Sequence, residues 1–171
     1  MKKEINAFDY AGKILTEVGK AALLTTKSGN KVNTMTIGWG TMGVEWNKPI
    51  LIAYVRQHRF TWKQLRENPE FTINIPMDES ARQILSYCGR TSGRDTDKIN
   101  DLGLTLVEPS VISVPGIKEL PLTLECKVLY HQPQDCYAMP ESVRQRFYAD
   151  NVPGDYHDAF YAEIVAAYIV E

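Results

Sequence analysis

The order of the predicted strands is the feature that most limits what this chain can fold into. Residues 122–131 alternate apolar and polar side chains, a pattern typical of a half-buried antiparallel strand. Residues 50–55 are apolar throughout, which predicts a strand that is buried on both faces. Further short strands are predicted at 21–26, 33–39, 71–75, 104–107, 111–114 and 162–170.

Short helices are predicted between and around these strands, at 5–20, 62–67, 81–88, 95–102 and 141–149. The pattern Thr61-x-x-Gln64 predicts a capping box that opens the second helix. Asp78 or Ser80 is expected to cap the third helix, and Gly89 is expected to end it.

The succession of elements predicts the fold class. Strands follow one another through turns, such as the one at 28–30, or through single short helices. Because regular strand–helix alternation is absent, an antiparallel barrel is favoured over a doubly wound sheet. We therefore expect a mainly β fold with helical insertions (α+β). The 171 residues are expected to form a single domain, 1–171, with 1–20 as an N-terminal helix.

Charge and hydropathy exclude several classes of function. Lys plus Arg number 19 and Asp plus Glu number 21, so the net charge is −2 and a general nucleic-acid binder is not expected. No apolar run reaches the roughly 20 residues that a membrane-spanning helix needs. The first ten residues lack the apolar core of a secretion signal, so we expect a cytoplasmic protein without a membrane partner.

The cysteines and histidines do not form a metal-binding pattern. Cys88, Cys126 and Cys136 include no C-x-x-C pair, and the three histidines are scattered along the chain. We therefore expect neither a disulfide framework nor a metal site. Cys88 is interpreted as a small buried residue on the face of its helix.

The run Gly38-Trp39-Gly40-Thr41-Met42-Gly43 matches the dinucleotide-binding pattern G-x-G-x-x-G. That function requires a helix to begin at the last glycines, so that its N-terminus meets the pyrophosphate. Here Lys48-Pro49 and another predicted strand follow instead. We therefore reject a Rossmann fold and interpret the glycines as backbone that closely approaches something large and flat.

Two other segments concentrate groups that bind phosphate. The first, Arg56-Gln57-His58-Arg59-Phe60-Thr61, ends at a predicted helix N-terminus and carries no acidic residue. The second, Thr91-Ser92-Gly93-Arg94-Asp95, places a glycine between hydroxyl and guanidinium donors. Each alone is also explained by a solvated basic stretch or a helix cap. Together they favour a phosphorylated ligand.

Several motifs occur in an order that resembles the flavin reductase-like family, with flavoredoxins as the most similar branch. The matching runs are Asn33-Thr34-Met35-Thr36-Ile37-Gly38-Trp39-Gly40, Arg56-x-x-Arg59-x-Thr61, Phe71-Thr72-Ile73-Asn74-Ile75-Pro76 and Cys88-Gly89-x-x-Ser92-Gly93-Arg94-Asp95-x-Asp97-Lys98. The resemblance covers about residues 20–125. It implies an FMN-binding split β-barrel of antiparallel Greek-key type, usually a homodimer with FMN near the subunit interface.

The resemblance also implies which residues hold FMN. The phosphate is expected at the segments 59–61 and 92–94, and the isoalloxazine ring along the strand 33–39 and a turn at Gly40. The expected cofactor-binding residues are Asn33, Thr34, Met35, Thr36, Trp39, Gly40, Arg56, Arg59, Phe60, Thr61, Ser92, Gly93, Arg94 and Lys98. The flavin itself carries the chemistry, and His157 is a weak catalytic candidate beside the ring.

Three functions remain open from the sequence. The first is an FMN-dependent oxidoreductase that transfers hydride or electrons between NAD(P)H and a flavin or a downstream acceptor. The second is a flavoredoxin-like electron carrier that has no NAD(P)H activity and is reduced by a partner protein. The third is a reductase that releases reduced FMN. Residues 132–158 match no pattern, and we expect this variable insertion to lie near the site or the dimer interface.

Overall fold

The computed structural model describes residues 1–148 and 156–171, in which the strands account for most of the secondary structure. The ten strands are β1 (Lys2–Glu4), β2 (Ala22–Ser28), β3 (Lys31–Ile37), β4 (Gly40–Glu45), β5 (Lys48–Arg56), β6 (Glu70–Ile75), β7 (Leu106–Val107), β8 (Gly116–Ile117), β9 (Leu122–Pro133) and β10 (His157–Val170).

The main sheet is antiparallel and follows the order β3-β2-β6-β9-β10-β5-β4, with β1 paired to β10. Strands β3 and β4 are consecutive in the chain, yet they form the two ends of this order. Within the described residues no pairing joins these two ends, so the barrel is open between them. This architecture confirms the predicted mainly β fold of antiparallel strands with helical insertions.

Within the described ranges, five α-helices accompany the sheet: α1 (Ala11–Lys20), α2 (Phe60–Glu67), α3 (Arg82–Arg90), α4 (Lys98–Asp101) and α5 (Glu141–Tyr148). Three short 3-10 turns lie at Ala7–Tyr10, Glu79–Ala81 and Cys136–Ala138. No described helix is long and apolar enough to cross a membrane.

The core fills the interior of the curved sheet. Ile14 and Val18 of α1 and Leu65 of α2 pack with Phe71 and Phe160 in the main cluster. Fully burying such a side chain contributes roughly 1.5–3 kcal/mol to stability. A second apolar cluster lies under α3, and its packing holds α3 and the segment that follows this helix in place. The cluster consists of Leu23, Ala81, Cys88, Leu104, Ile117 and Leu120.

A single buried carboxylate attaches the last strand to the segment that precedes α2. Asp158 of β10 is buried and accepts hydrogen bonds from Gln57 Nε2 at 2.7 Å and from Trp62 Nε1 at 2.8 Å. Charged acceptors make the stronger hydrogen bonds in proteins. The position of α2 therefore depends on a residue almost a hundred positions away in sequence.

Several strand predictions are corrected by the structure. Residues 40–45 form β4, where the sequence suggested a turn at Gly40, and Trp46 and Asn47 make the tight turn to β5 with φ of 52° and 56°. Residues 111–114 are not a strand. Instead the backbone N–H groups of Val111 and Ile112 donate to the buried Glu125 carboxylate.

Two other strand predictions differ in extent. Strand β10 begins at His157, not at 162. Strand β5 is fully buried on the face of Leu51, Ala53 and Val55, but Ile52 and Tyr54 on its other face are only half-buried. The apolar run therefore contains one core face and one face near the surface, which periodicity could not distinguish.

The helix ends also differ from the predictions. Thr61 and Gln64 lie inside α2, and their side chains bond to strand residues, so the capping box is wrong. Gly89 is a helical residue of α3 and does not terminate it. Asp78 caps the preceding 3-10 turn and not α3 itself, whose N-cap residue Ala81 makes no side-chain cap, so the predicted helix cap is wrong. The helix predicted at 95–102 shortens to α4, which Asp97 caps. Residue 149 of the last predicted helix lies outside the described residues.

Candidate functional site

The open side of the sheet is where the two anion-binding segments meet. Gly38 and Trp39 alone link β3 to β4, and we call this two-residue connection the seam. On the β3 side of the seam, the N-terminus of α2 faces the segment that follows α3. A cleft of about 260 Å³ lies between them, and we call it the central cleft.

Both predicted anion-binding segments line the central cleft. Arg59 and Thr61 contribute from the start of α2, and Ser92 and Arg94 from the other side. A guanidinium nitrogen of Arg94 donates to the carbonyl of His58 at 2.7 Å, so it fastens the two segments together. A guanidinium has five N–H donors, so Arg94 retains donors for a bound anion.

Asn33 supports the segments from behind. Its amide nitrogen donates to Thr61 Oγ1 at 3.1 Å, and both side chains are buried. A Cβ atom placed on Gly93 would lie 2.1 Å from Asn33 Oδ1. Only glycine therefore permits the segment after α3 to approach Asn33 this closely. We call Asn33, the segment 58–61 and the segment 91–94 together the cradle.

Lys98 is a buried cation at the base of the central cleft. The ammonium donates to the carbonyl of Thr34 at 2.9 Å and to that of Cys88 at 3.0 Å. The side chain is 3% exposed, and burial lowers the pKa of this lysine. Lys98 thereby ties the edge of β3 to the last turn of α3.

Cys88 lines the same cleft from α3, but its chemistry is that of a structural residue. The side chain is 1% exposed, and burial raises the pKa of the thiol to about 11. A thiol that stays protonated at neutral pH is a poor nucleophile. This position agrees with the interpretation of Cys88 as a buried small residue.

A second hollow, of about 190 Å³, continues from the central cleft toward the seam. Met35, Thr36 and Arg59 line both spaces. Trp39 and His157 form the far end, with their ring centroids 4.9 Å apart. The two spaces together form an elongated groove that runs along β3 from a cationic end to an aromatic end.

Helix α5 covers the aromatic end of this groove. The ring of Phe147 meets Trp39 edge to face with centroids 5.2 Å apart, and the carbonyl of Phe147 accepts from Arg56 at 2.8 Å. Tyr148 Oη lies 2.8 Å from His157 Nδ1. Helix α5, which belongs to the segment 132–158, therefore forms one wall of the groove. Residues 149–155 of that segment are outside the described residues.

Most of the predicted cofactor-binding residues line this groove. Those on its surface are Asn33, Met35, Thr36, Trp39, Arg56, Arg59, Phe60, Thr61, Ser92, Gly93, Arg94 and Lys98. The side chain of Thr34 is buried against Thr25, and only its carbonyl reaches the groove side through Lys98. Gly40 packs against α1, since a Cβ there would meet Val18 Cγ1 at 3.1 Å.

Sequence reasoning missed several residues of the groove. Tyr54 and Phe147 border it, although neither lies in a recognisable motif. Gly89 also lines the groove, where a Cβ would lie 3.4 Å from Thr36 Cβ. Three glycines, at 38, 89 and 93, lie at or near the ends of predicted strands and helices. This grouping was the sequence signal that could have indicated closely packed backbone at the site. His157, by contrast, was expected beside the ring and lies at the aromatic end.

No group of three or more His, Cys, Asp and Glu side chains is arranged to hold a metal ion in the described part of the chain. The cradle end of the groove instead offers the guanidinium groups of Arg59 and Arg94, the hydroxyl groups of Thr61 and Ser92, and the buried ammonium of Lys98 beside them. Such a donor set suits an anion with several oxygens. The aromatic end suits a planar, largely apolar group.

Curated relatives match much of this region. An uncharacterised protein of Archaeoglobus fulgidus is 32% identical over 99 residues, which cover 58% of this chain and 55% of that protein. The uncharacterised Escherichia coli protein YddH is 30% identical over 123 residues, covering 70% of this chain and 64% of that one. The chain thus matches little more than half the length of these relatives.

Solved structures share the fold. A flavoredoxin of Methanosarcina acetivorans has a TM-score of 0.67 and 28% identity, covering 88% of this chain and 68% of that one. The flavoredoxin of Desulfovibrio vulgaris (Miyazaki F) has a TM-score of 0.69 and 23% identity, covering 88% and 69%. The family described as flavin reductase like domain matches residues 18–171. The chain therefore belongs to the flavin reductase-like domain family.

Proposed function

We propose that this protein is an FMN-binding oxidoreductase that transfers hydride or electrons between NAD(P)H and a flavin or a downstream acceptor. The observation that carries the proposal is the convergence of the two cationic segments on one groove, whose opposite end is aromatic. FMN has matching ends: a phosphate and a planar ring. The family match bears out the expectation of an FMN cofactor.

The cradle fits a phosphate group by its donors and by its shape. Arg59 and Arg94 supply charge, and the hydroxyl groups of Thr61 and Ser92 supply neutral donors. Gly93 leaves the space that any side chain would fill. These residues would hold the phosphate, while Met35, Thr36 and Trp39 would lie along the ring.

When bound, FMN supplies a redox centre that exchanges two electrons. The chain contributes binding and electrostatics. Lys98 places positive charge at the base of the groove, which favours a more negative state of a bound ligand. Helix α5 and Trp39 shield the aromatic end from water. No general base is needed for hydride transfer.

A second candidate function is an FMN electron carrier of the flavoredoxin type, with no NAD(P)H activity of its own. The specific observation in its favour is the 28% identity to the Methanosarcina acetivorans flavoredoxin over 88% of this chain. A carrier needs the same groove, so the two functions differ only in whether the protein accepts hydride from NAD(P)H directly.

One experiment tests both functions. The visible absorption spectrum of the purified protein is recorded alone, then with FMN, and then with NADH or NADPH under anaerobic conditions. We expect a flavin spectrum that the nicotinamide bleaches. Bleaching only after a reducing partner is added would favour the carrier, and rapid loss of flavin on gel filtration would favour a reductase that releases reduced FMN. A protein that ignores added FMN would overturn the proposal.

We also propose a homodimer. The outer face of β4, β5, β9 and β10 carries a chain of aromatic rings: Tyr161 lies 5.3 Å from Tyr130 and 6.4 Å from Trp46, centroid to centroid. Trp46 and Tyr130 are 51% and 45% exposed. Large exposed aromatics grouped in this way are typical of interfaces. Light scattering of the wild type and of Tyr130→Asp checks this, with a dimer and a monomer as the expected results.

A further inference from the structure

A separate cleft lies on the other side of Trp39 from the groove. It opens between α1 and α5, and its volume is about 450 Å³. Gly38, Trp39 and Tyr54 belong to both spaces, so the cleft and the groove share a wall. The volume falls in the range of roughly 300–1,000 Å³ that is usual for small-molecule sites. We call this space the apolar cleft.

The lining of the apolar cleft differs from that of the groove in its charge. Leu15 projects from α1, and Met139, Val143 and Phe147 lie on or near α5. Among the described residues that line it, none carries a charged side chain. The groove, in contrast, contains Arg56, Arg59, Arg94 and Lys98. A charged ligand would lose hydration in the apolar cleft and find no partner, so the lining selects against ions.

A small polar group stands at one end of the apolar cleft. Tyr148 Oη lies 3.1 Å from Gln134 Oε1 and 2.8 Å from His157 Nδ1, and Gln134 and Tyr148 both line the cleft. Burial raises the pKa of Tyr148, so its hydroxyl stays protonated at neutral pH. Tyr148 donates its single hydroxyl hydrogen to Gln134 Oε1 and thereby orients this amide. The amide nitrogen of Gln134 can then donate to one carbonyl or hydroxyl oxygen.

We propose that the apolar cleft is a second ligand site, which binds a small uncharged cyclic or aromatic molecule with a single polar oxygen. The apolar walls hold the ring, and Tyr148 with Gln134 orients the oxygen. This site goes beyond the proposed function, because neither FMN nor the phosphates of a nicotinamide dinucleotide match its lining. It places the second ligand against the indole ring that also borders the groove.

The test compares two probes of the same shape. Acetophenone is neutral, whereas benzoate carries a charge on the corresponding group. Binding is followed through the indole N–H resonance of Trp39 in protein loaded with FMN and in protein without it. We expect acetophenone to bind at least tenfold more tightly than benzoate. Equal affinity for the two probes, or no shift at Trp39, would overturn the proposal.

A matched pair of variants on α5 locates the site. Val143→Asp places a carboxylate in the lining and is expected to weaken acetophenone binding at least tenfold. Ser142→Asp adds the same charge one residue earlier, outside the lining, and is expected to stay within twofold of the wild type. Both positions are exposed or half-buried, so both variants should fold. Equal losses in the two variants would overturn the assignment to this cleft.

An FMN titration of the same proteins separates this proposal from the proposed function. If the wild type binds FMN but fails the acetophenone test, only the proposal of a second site is overturned. If the wild type binds acetophenone at Trp39 but does not bind FMN, the second site stands and the proposed function is overturned.

Discussion

The cradle and helix α5 form opposite ends of one groove, and they are held in place by different forces. In the cradle, Asn33 and Thr61 are 3% and 1% exposed and bond to each other, and beside the cradle Lys98 bonds to two backbone carbonyls. In α5, no residue is buried, and the helix is attached by ring contacts and by Arg56. Buried, fully bonded groups specify one ligand geometry, whereas a half-exposed aromatic wall can adjust. The comparison therefore contrasts a fixed cationic end with an adaptable aromatic end.

The largest effect is expected when the packing of the cradle is changed. Gly93→Ala places a methyl group against Asn33 Oδ1 and forces the Asn33–Thr61 bond to move. Overpacking of this kind costs about 1–3 kcal/mol, so FMN affinity should fall by up to ~100-fold. Gly43→Ala is the control, because nothing lies within 4 Å of a Cβ at that glycine. A fluorescence titration of FMN measures both, and equal affinities would contradict a closely packed cradle.

Removing charge from the cradle is expected to have an effect of similar size. Arg59→Ala and Arg94→Ala should each weaken FMN binding by roughly 1.5–3 kcal/mol, the usual contribution of a charge-assisted hydrogen bond. Riboflavin, which has no phosphate, should bind these variants as it binds the wild type. Calorimetric titration with both ligands provides the check. If riboflavin loses as much affinity as FMN, the phosphate does not lie in the cradle.

The buried Lys98 is expected to make the stability of the protein depend on pH. Its pKa is lowered by burial from an ordinary value of 10.5, so the unfolded chain binds the proton more tightly than the folded one. Between the lowered pKa and 10.5, the free energy of unfolding contributed by this group therefore rises with pH. Lys98→Met should lack this rise and should be less stable by about 1–3 kcal/mol at neutral pH, because two carbonyls lose their donor.

Urea denaturation of the wild type and of Lys98→Met, from pH 7 upward, measures the difference. Lys63→Met on the exposed face of α2 serves as the control, since its side chain is 66% exposed. If the free energy of unfolding changes with pH in the same way for the wild type and for Lys98→Met, the titration of Lys98 does not contribute to the pH dependence of stability.

The smallest effect is expected at α5. Phe147→Ala removes an edge-to-face contact with Trp39 from a residue that is 38% exposed. An aromatic pair of this kind contributes about 0.5–1.5 kcal/mol, so stability should fall by about 1 kcal/mol and FMN affinity by no more than ~2-fold. Thermal unfolding and FMN titration measure both quantities. A loss of FMN binding as large as that of Gly93→Ala would remove the distinction between the two ends.

The sequence predicted the cradle better than it predicted the rest of the groove. Arg59, Thr61, Ser92 and Arg94 lie in two short motifs whose anion-binding chemistry is local, and the family resemblance implied that both motifs hold one phosphate. The structure brings the two motifs to one cleft. Tyr54 and Phe147 have no such motif, and only the long-range pairing of β5 with β10 and the docking of α5 bring them to the site. The role of Gly93 is likewise invisible until Asn33 is placed beside it.

The strand predictions failed where long-range contacts override local pattern. Residues 111–114 are rich in the β-branched side chains that favour a strand, but the buried carboxylate of Glu125 satisfies backbone N–H groups that a neighbouring strand would otherwise bond. Strand β4 contains two glycines and a short apolar pattern, so it lacked a strand signal. Its existence depends on the tight turn at Trp46 and Asn47, which aligns it with β5.

The attachment of α2 to Asp158 has a consequence for how the protein is made. Every residue assigned to the cradle lies before position 95, so the ribosome synthesises all of them before it reaches Asp158. The segment that leads into α2 is nevertheless fixed through Gln57 and Trp62 to this carboxylate of β10. A nascent chain that lacks β10 therefore holds the cationic and hydroxyl groups of the cradle without the anchor that aligns them.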